Sequence, residues 1–195
     1  MNTAPEEFPI QDLMKEHGFL NRILLIFEAI QKNPQLDIIL TLAYIIRIFI
    51  ENFHEKMEER YLFETILKRS NDNDLKSIVM KLYEQHRVSR KLTDIILFDP
   101  LMDHKLEAMK LFVMMYRRHE AIEDTVVFPA FRKLINVSEY SQLKEIFEKN
   151  EEEIMGEKLS HDRVLNVINF VEHQLGIESL LKQTIIVKNF VENNQ

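Results

Sequence analysis

After a short polar lead, Leu13, Leu20, Leu24 and Phe27 fall on one face of a 3.6-residue repeat, which predicts a helix over about residues 10–32, ended by KNPQ around Pro34. A second apolar-periodic stretch predicts a helix over about 36–69, closed by SNDND at 70–74, a string of residues that cap and turn. A third runs over about 75–97 and stops at FDP, and a fourth covers about 101–135. Pro129 lacks an N–H and crowds the carbonyl of Thr125, so a kink is predicted there. Long helices joined by short connections lie antiparallel, so the fold predicted is all-α: an up-down-up-down four-helix bundle with additional C-terminal helices. Those helices are read in SEYSQLKEIFEKNEEEI and LSHDRVLNVINFVEHQLG, with a last apolar-periodic stretch from Leu180 to Val191 after Gly176. The organisation expected is one domain over 1–195, its bundle core at about 10–135 and its helical extension at about 138–192. EKNEEEI reads as a solvated helical face.

Composition sharpens this picture. Three Gly and five Pro in 195 residues are too few for the turns of a sheet protein, whereas 46% hydrophobic residues suffice for a helical core. The net charge of −7 is spread along the chain without a basic cluster, so neither nucleic acid nor an anionic membrane is expected as a partner. Without cysteine there is no disulfide and no thiolate metal site; imidazole and oxygen are the donors left. The N-terminal MNTAPEEFPI shows no secretory pattern and no stretch is apolar for a bilayer-spanning length, so a cytoplasmic location is expected.

One feature breaks the amphipathic pattern. FHEKMEERYLF at 53–63 puts a histidine and acids into a stripe that, further back, carries Ile46 and Ile50. RHEAIEDTVVF at 118–128 repeats it, with Glu at +1 and +4, an acid at +5 and Phe at +9 from the histidine. Residues i and i+4 share a helix face, so His54 projects with Glu58 and His119 with Glu123, both pairs toward the core. Buried imidazole and carboxylate need partners, and a metal cluster supplies them. The first and third helices each add one histidine in an apolar stripe, His17 and His86. Counted from the hairpin turns, the His54/Glu58 pair and His86 are level, while the first and second helices are out of step by about five residues and the third and fourth by about nine. The last mismatch calls for a long or irregular connection around FDPLMD. Six converging imidazole and carboxylate donors suit iron, manganese or zinc and favour two ions bridged by carboxylates. The His-x-x-x-Glu spacing differs from the Glu-x-x-His of ferritin-like bundles.

The order His, His-x-x-x-Glu, His, His-x-x-x-Glu over residues 17–123, followed by LF and VFP, resembles the hemerythrin-like (HHE cation-binding) proteins over roughly residues 10–175. The resemblance implies two non-haem iron ions, which an oxo bridge can join, with His17, His54, His86 and His119 as terminal ligands and Glu58 and Glu123 as bridges. It implies binding or sensing of O2 or NO, or of iron itself. The chain departs from the oxygen-carrying hemerythrins, which carry a second histidine four residues on in the third helix; Arg90 stands there. They also use an Asp five residues after the fourth-helix histidine, an offset held by Asp124. The missing histidine leaves an additional open coordination position and turns the expectation toward redox or peroxide chemistry.

The pattern is also similar to iron-centre repair proteins that respond to nitric oxide, which carry paired N-terminal cysteines that this chain lacks. The functions left open are therefore a di-iron binder or sensor, a di-iron enzyme for NO or peroxide reduction or iron-sulfur centre repair, and a metal-free helical interaction module. Glu59 and Asp124 are expected to stand behind the cluster or to face solvent, not to bridge the ions. Tyr83, Tyr116 and Glu51, each three residues before a histidine, could complete the site, although core tyrosines and a surface glutamate are the commoner roles. His104 reads as a surface or capping residue, and His161 and His173 as structural. Leu180 to Val191 offers a homodimer contact.

Overall fold

Apolar side chains at helical spacing form six helices among the described residues of the computed structural model, which are 9–154, 156 and 160–177. Helix α1 is Pro9–Ala29, continued by a 3₁₀ turn at Ile30–Lys32. Helix α2 runs from Leu36–Ile45 without a break to Glu64–Arg69, α3 is Asn73–Phe98, and α4 runs from Met102–Ile122 to Phe128–Leu134. Two further helices follow, α5 at Val137–Ile154 and α6 at His161–Leu175. Among the described residues there is no strand, and no helix is long and apolar enough to cross a membrane. The stretch Leu180 to Val191 lies outside the described residues.

The connections are short because polar side chains close them. Asp72 accepts from the backbone N–H of Asp74 and Leu75 and starts α3. Asp99 accepts from the N–H of Leu101 at 2.8 Å and faces His104 at 3.0 Å, which makes His104 an exposed partner of the turn. Asn136 and Glu139 exchange side-chain to backbone bonds, both 2.9 Å, a reciprocal capping box that starts α5. Gly176 ends α6 at φ +63°, a left-handed position that costs glycine no Cβ clash.

Helix α1 packs on α2 and α4, α2 on α3, and α3 on α4, so the four longest stretches neighbour one another in a closed order. Helix α6 lies on α1, while α5 touches both α1 and α2. Phe27, Phe49, Phe53, Phe63, Phe112 and Phe128 are fully buried in the space between them.

Three stretches were not legible as α-helical periodicity. Helix α2 widens into π-helix over Ile46–His54 and again over Glu58–Phe63, and α4 does so over Glu123–Val127. In these turns the backbone bond reaches five residues back, from Glu55 N–H to Ile50 and from Phe128 N–H to Glu123. The kink expected at Pro129 takes this form: the helix loosens just before the proline, which is the second residue of the resumed α-helix. The connection after α3 corrects another expectation, since it is only Asp99–Leu101, neither long nor irregular. His86 and His119 meet nonetheless. Side chains lean toward the N-terminus of their own helix, so positions on two facing helices need not be level along the chain for their side chains to meet.

Candidate metal centre

The four helices each deliver one imidazole to a common point, and α2 and α4 add a carboxylate one turn on. His17, His54, Glu58, His86, His119 and Glu123 are each 3% exposed or less. The His17 and His54 Nε2 atoms are 3.1 Å apart, and those of His86 and His119 are 3.0 Å apart. Glu58 lies between the pairs, with Oε1 3.4 Å from His54 Nε2 and Oε2 3.5 Å from His86 Nε2. Glu123 also spans them, its Oε2 3.2 Å from His119 Nε2 and 3.4 Å from His17 Nε2. Two donor sets result, His17/His54/Glu58 and His86/His119/Glu58/Glu123, sharing Glu58. All six residues singled out in the sequence are therefore brought together.

Each imidazole is held from behind through Nδ1 by a residue on another helix. Asp124 faces His17 at 2.9 Å, Glu16 faces His54 at 2.7 Å, Glu59 faces His86 at 3.2 Å, and Gln85 Oε1 faces His119 at 2.9 Å. These four acceptors are chain neighbours of His17, Glu58, His86 and Glu123, so each of the four helices steadies the imidazole of the next, in a ring. An acceptor at Nδ1 places the proton there and leaves the Nε2 lone pair of the neutral ring pointing inward.

That inward arrangement suits cations. Neither oxygen of Glu58 or Glu123 accepts a hydrogen bond, although all four are buried. The surrounding Nε2 atoms stand 3.2–4.0 Å away, and none of them makes a hydrogen bond with these oxygens. Two nitrogens bound to one cation at ~2.1 Å and at right angles are ~3 Å apart, the separation of both Nε2 pairs. The residues fit a pair of metal ions. Without metal, protons carry the compensating charge: burial opposes it, yet the carboxylates of Asp124 and Glu123 hold His17 up at about 10. Burial likewise works against charge on Glu59, but His86, Lys56 and Arg90 bring it down to about 2.

Two curated relatives are similar over nearly the whole chain. The uncharacterized protein Rv1995 of Mycobacterium tuberculosis and the uncharacterized protein Mb2018 of Mycobacterium bovis are each 36% identical over 202 residues, covering 94% of this chain and 78% of theirs. The chain belongs to the family of these mycobacterial proteins. No family model matches it, and no solved structure does. The names of this mycobacterial family carry no activity, so the chemistry rests on the site itself.

Several residues around the centre correct the sequence reading. Glu51 is not on the surface: it is fully buried, with Arg47 Nε at 3.0 Å. Tyr116 is buried and donates to Glu55, and Tyr83 donates to the carbonyl of Glu59 at 2.6 Å, so neither phenol hydroxyl points at the cluster. Arg90 turns to Glu55 and Glu59, at 2.6 and 2.5 Å, and Ser89 also donates to Glu55. His161 is more than structural filling. It bridges Glu16 and Glu151 at 2.8 and 2.7 Å, which also gives Glu151, in the acidic run read as a solvated face, a buried-side partner. A sequence signal for Glu16 and Gln85 exists only in their place next to His17 and His86.

Proposed function

We propose that the chain is a hemerythrin-like, non-haem di-iron protein that binds or senses O2, NO or iron itself, built on an up-down-up-down four-helix bundle. The observation that carries this reading is the set of four buried, hydrogen-bond-free oxygens of Glu58 and Glu123 facing four inward Nε2 atoms. His17, His54 and Glu58 would hold one ion, and His86, His119, Glu58 and Glu123 the other. When bound, such a pair supplies redox-active Lewis-acid centres. The chain's own part is to keep all four imidazoles in one tautomer through Asp124, Glu16, Glu59 and Gln85, and to keep bulk water out with Phe128 and Phe63 stacked on His17 and His86. The donor set alone accommodates manganese or zinc; iron is preferred on the family resemblance.

A second reading, an enzyme reducing NO or peroxide, or repairing iron-sulfur centres, is favoured by Arg90. It occupies the helix position of a second histidine and is tied to Glu55 and Glu59, so the centre has one nitrogen donor fewer and more room for an exogenous ligand. Thermal unfolding with and without ferrous iron under anaerobic conditions tests the metal reading against a metal-free interaction module. The melting temperature of the wild type should rise with iron, and that of the His54→Ala/Glu58→Ala double variant should not. Equal responses in the two would exclude the proposed centre.

A further inference from the structure

The helical extension is not merely laid against the four ligand-bearing helices; one of its side chains reaches the layer behind the ligands. Glu16 is 1% exposed and has both oxygens engaged: Oε2 accepts from His54 Nδ1 at 2.7 Å and Oε1 from His161 Nε2 at 2.8 Å. His161 is the first residue of α6 and is held in turn by Glu151 of α5 at 2.7 Å. Its ring is packed edge-on against Phe49 of α2, with centroids 5.2 Å apart. A continuous chain of side chains therefore runs from α5 through α6 and α1 to an imidazole in the centre. The other three Nδ1 acceptors, Asp124, Glu59 and Gln85, belong to α4, α2 and α3; among the described residues only the His54 arm is anchored from the extension in this way.

We infer that His161 is a positioning residue for the metal centre, fixing Glu16 and through it His54, so that metal occupancy and docking of the α5–α6 extension are thermodynamically coupled. This rests on the metal reading above. A carboxylate behind a ligating histidine sets its tautomer and ring angle, and losing such a partner costs 10- to 100-fold in metal affinity. Coupling is reciprocal, so the ion must tighten α6 by the factor by which His161 tightens the ion. The extension then becomes the part of the molecule through which occupancy is read out, the element a sensor requires.

A control separates this role from ordinary packing. Helix α6 is also held by Arg22, which donates to Glu172 at 2.5 and 2.8 Å and to Asn169 at 2.6 Å, without touching Glu16. Ferrous iron is titrated anaerobically against a competing chelator into the full chain, and hydrogen exchange of α6 is followed with and without the metal. His161→Ala should weaken iron binding 10- to 100-fold and abolish the iron-induced protection of α6. His161→Gln, which can still donate to Glu16, should recover part of both, and Glu172→Ala should loosen α6 while leaving iron affinity within about twofold of wild type. In the metal-free chain, nitrogen NMR should show the His54 Nδ1–H losing its strong hydrogen bond to Glu16 in His161→Ala and keeping it in Glu172→Ala. Equal iron affinity in wild type and His161→Ala, or equal losses in His161→Ala and Glu172→Ala, overturns the inference while leaving the metal centre intact. A wild type that takes up no iron overturns the centre and the inference with it.

Discussion

Glu51 and Tyr116 show how much of this core is polar for reasons other than the ligands themselves. Burial, and then the charge of Glu55, push the Glu51 carboxyl from its ordinary 4.5 up to about 7. Between those values the folded chain holds a proton that the unfolded chain has released, so this group's contribution to stability falls as pH rises through the window. Glu51→Gln should therefore be close to neutral near pH 5 and stabilising by about 1–3 kcal/mol near pH 8, measured by urea unfolding of the metal-free protein. An identical difference at both pH values would contradict the assignment. Tyr116→Phe removes one of the donors to Glu55 and should cost about 1–2 kcal/mol without changing metal stoichiometry. At this scale the six inward residues were legible because histidine and glutamate one turn apart in an apolar stripe demand an explanation. Of their supports, Glu59 and Asp124 were legible only as residues outside the bridging set, and Glu16 and Gln85 not at all, because each serves a neighbouring helix and a pattern read along one helix cannot show what crosses to the next.

The elements themselves were legible nearly to the residue, since caps such as Asp72 and the run around Pro34 punctuate strong periodicity. The π turns were not, for they leave the composition of a helix unchanged and add one residue to a turn where the packing wants it. In α4 the widened turn precedes Pro129, whose missing N–H and bulky ring make a regular turn costly there. Pro129→Ala lifts that constraint. It is expected to leave the metal-free stability equal or higher, yet to lower iron affinity, because a tightened turn rotates Glu123 away from His119. Unchanged affinity in a competition titration would show that the turn is set by something other than the proline.

For the whole molecule, the closed order of α1 to α4 brings residues as distant in sequence as His17 and Glu123 to 3.4 Å, and the extension closes over one side through His161. The all-helical fold followed from strong periodicity and few turn residues; the link from α6 into the centre did not, because His161 lies in no repeated motif. The most direct measurement is the iron content of the full chain after anaerobic reconstitution and removal of loosely held metal. The account predicts about two irons per chain, falling to one or fewer in Glu58→Ala, whose carboxylate is shared by both donor sets. A wild type that retains no iron, or retains as much as Glu58→Ala, would contradict it.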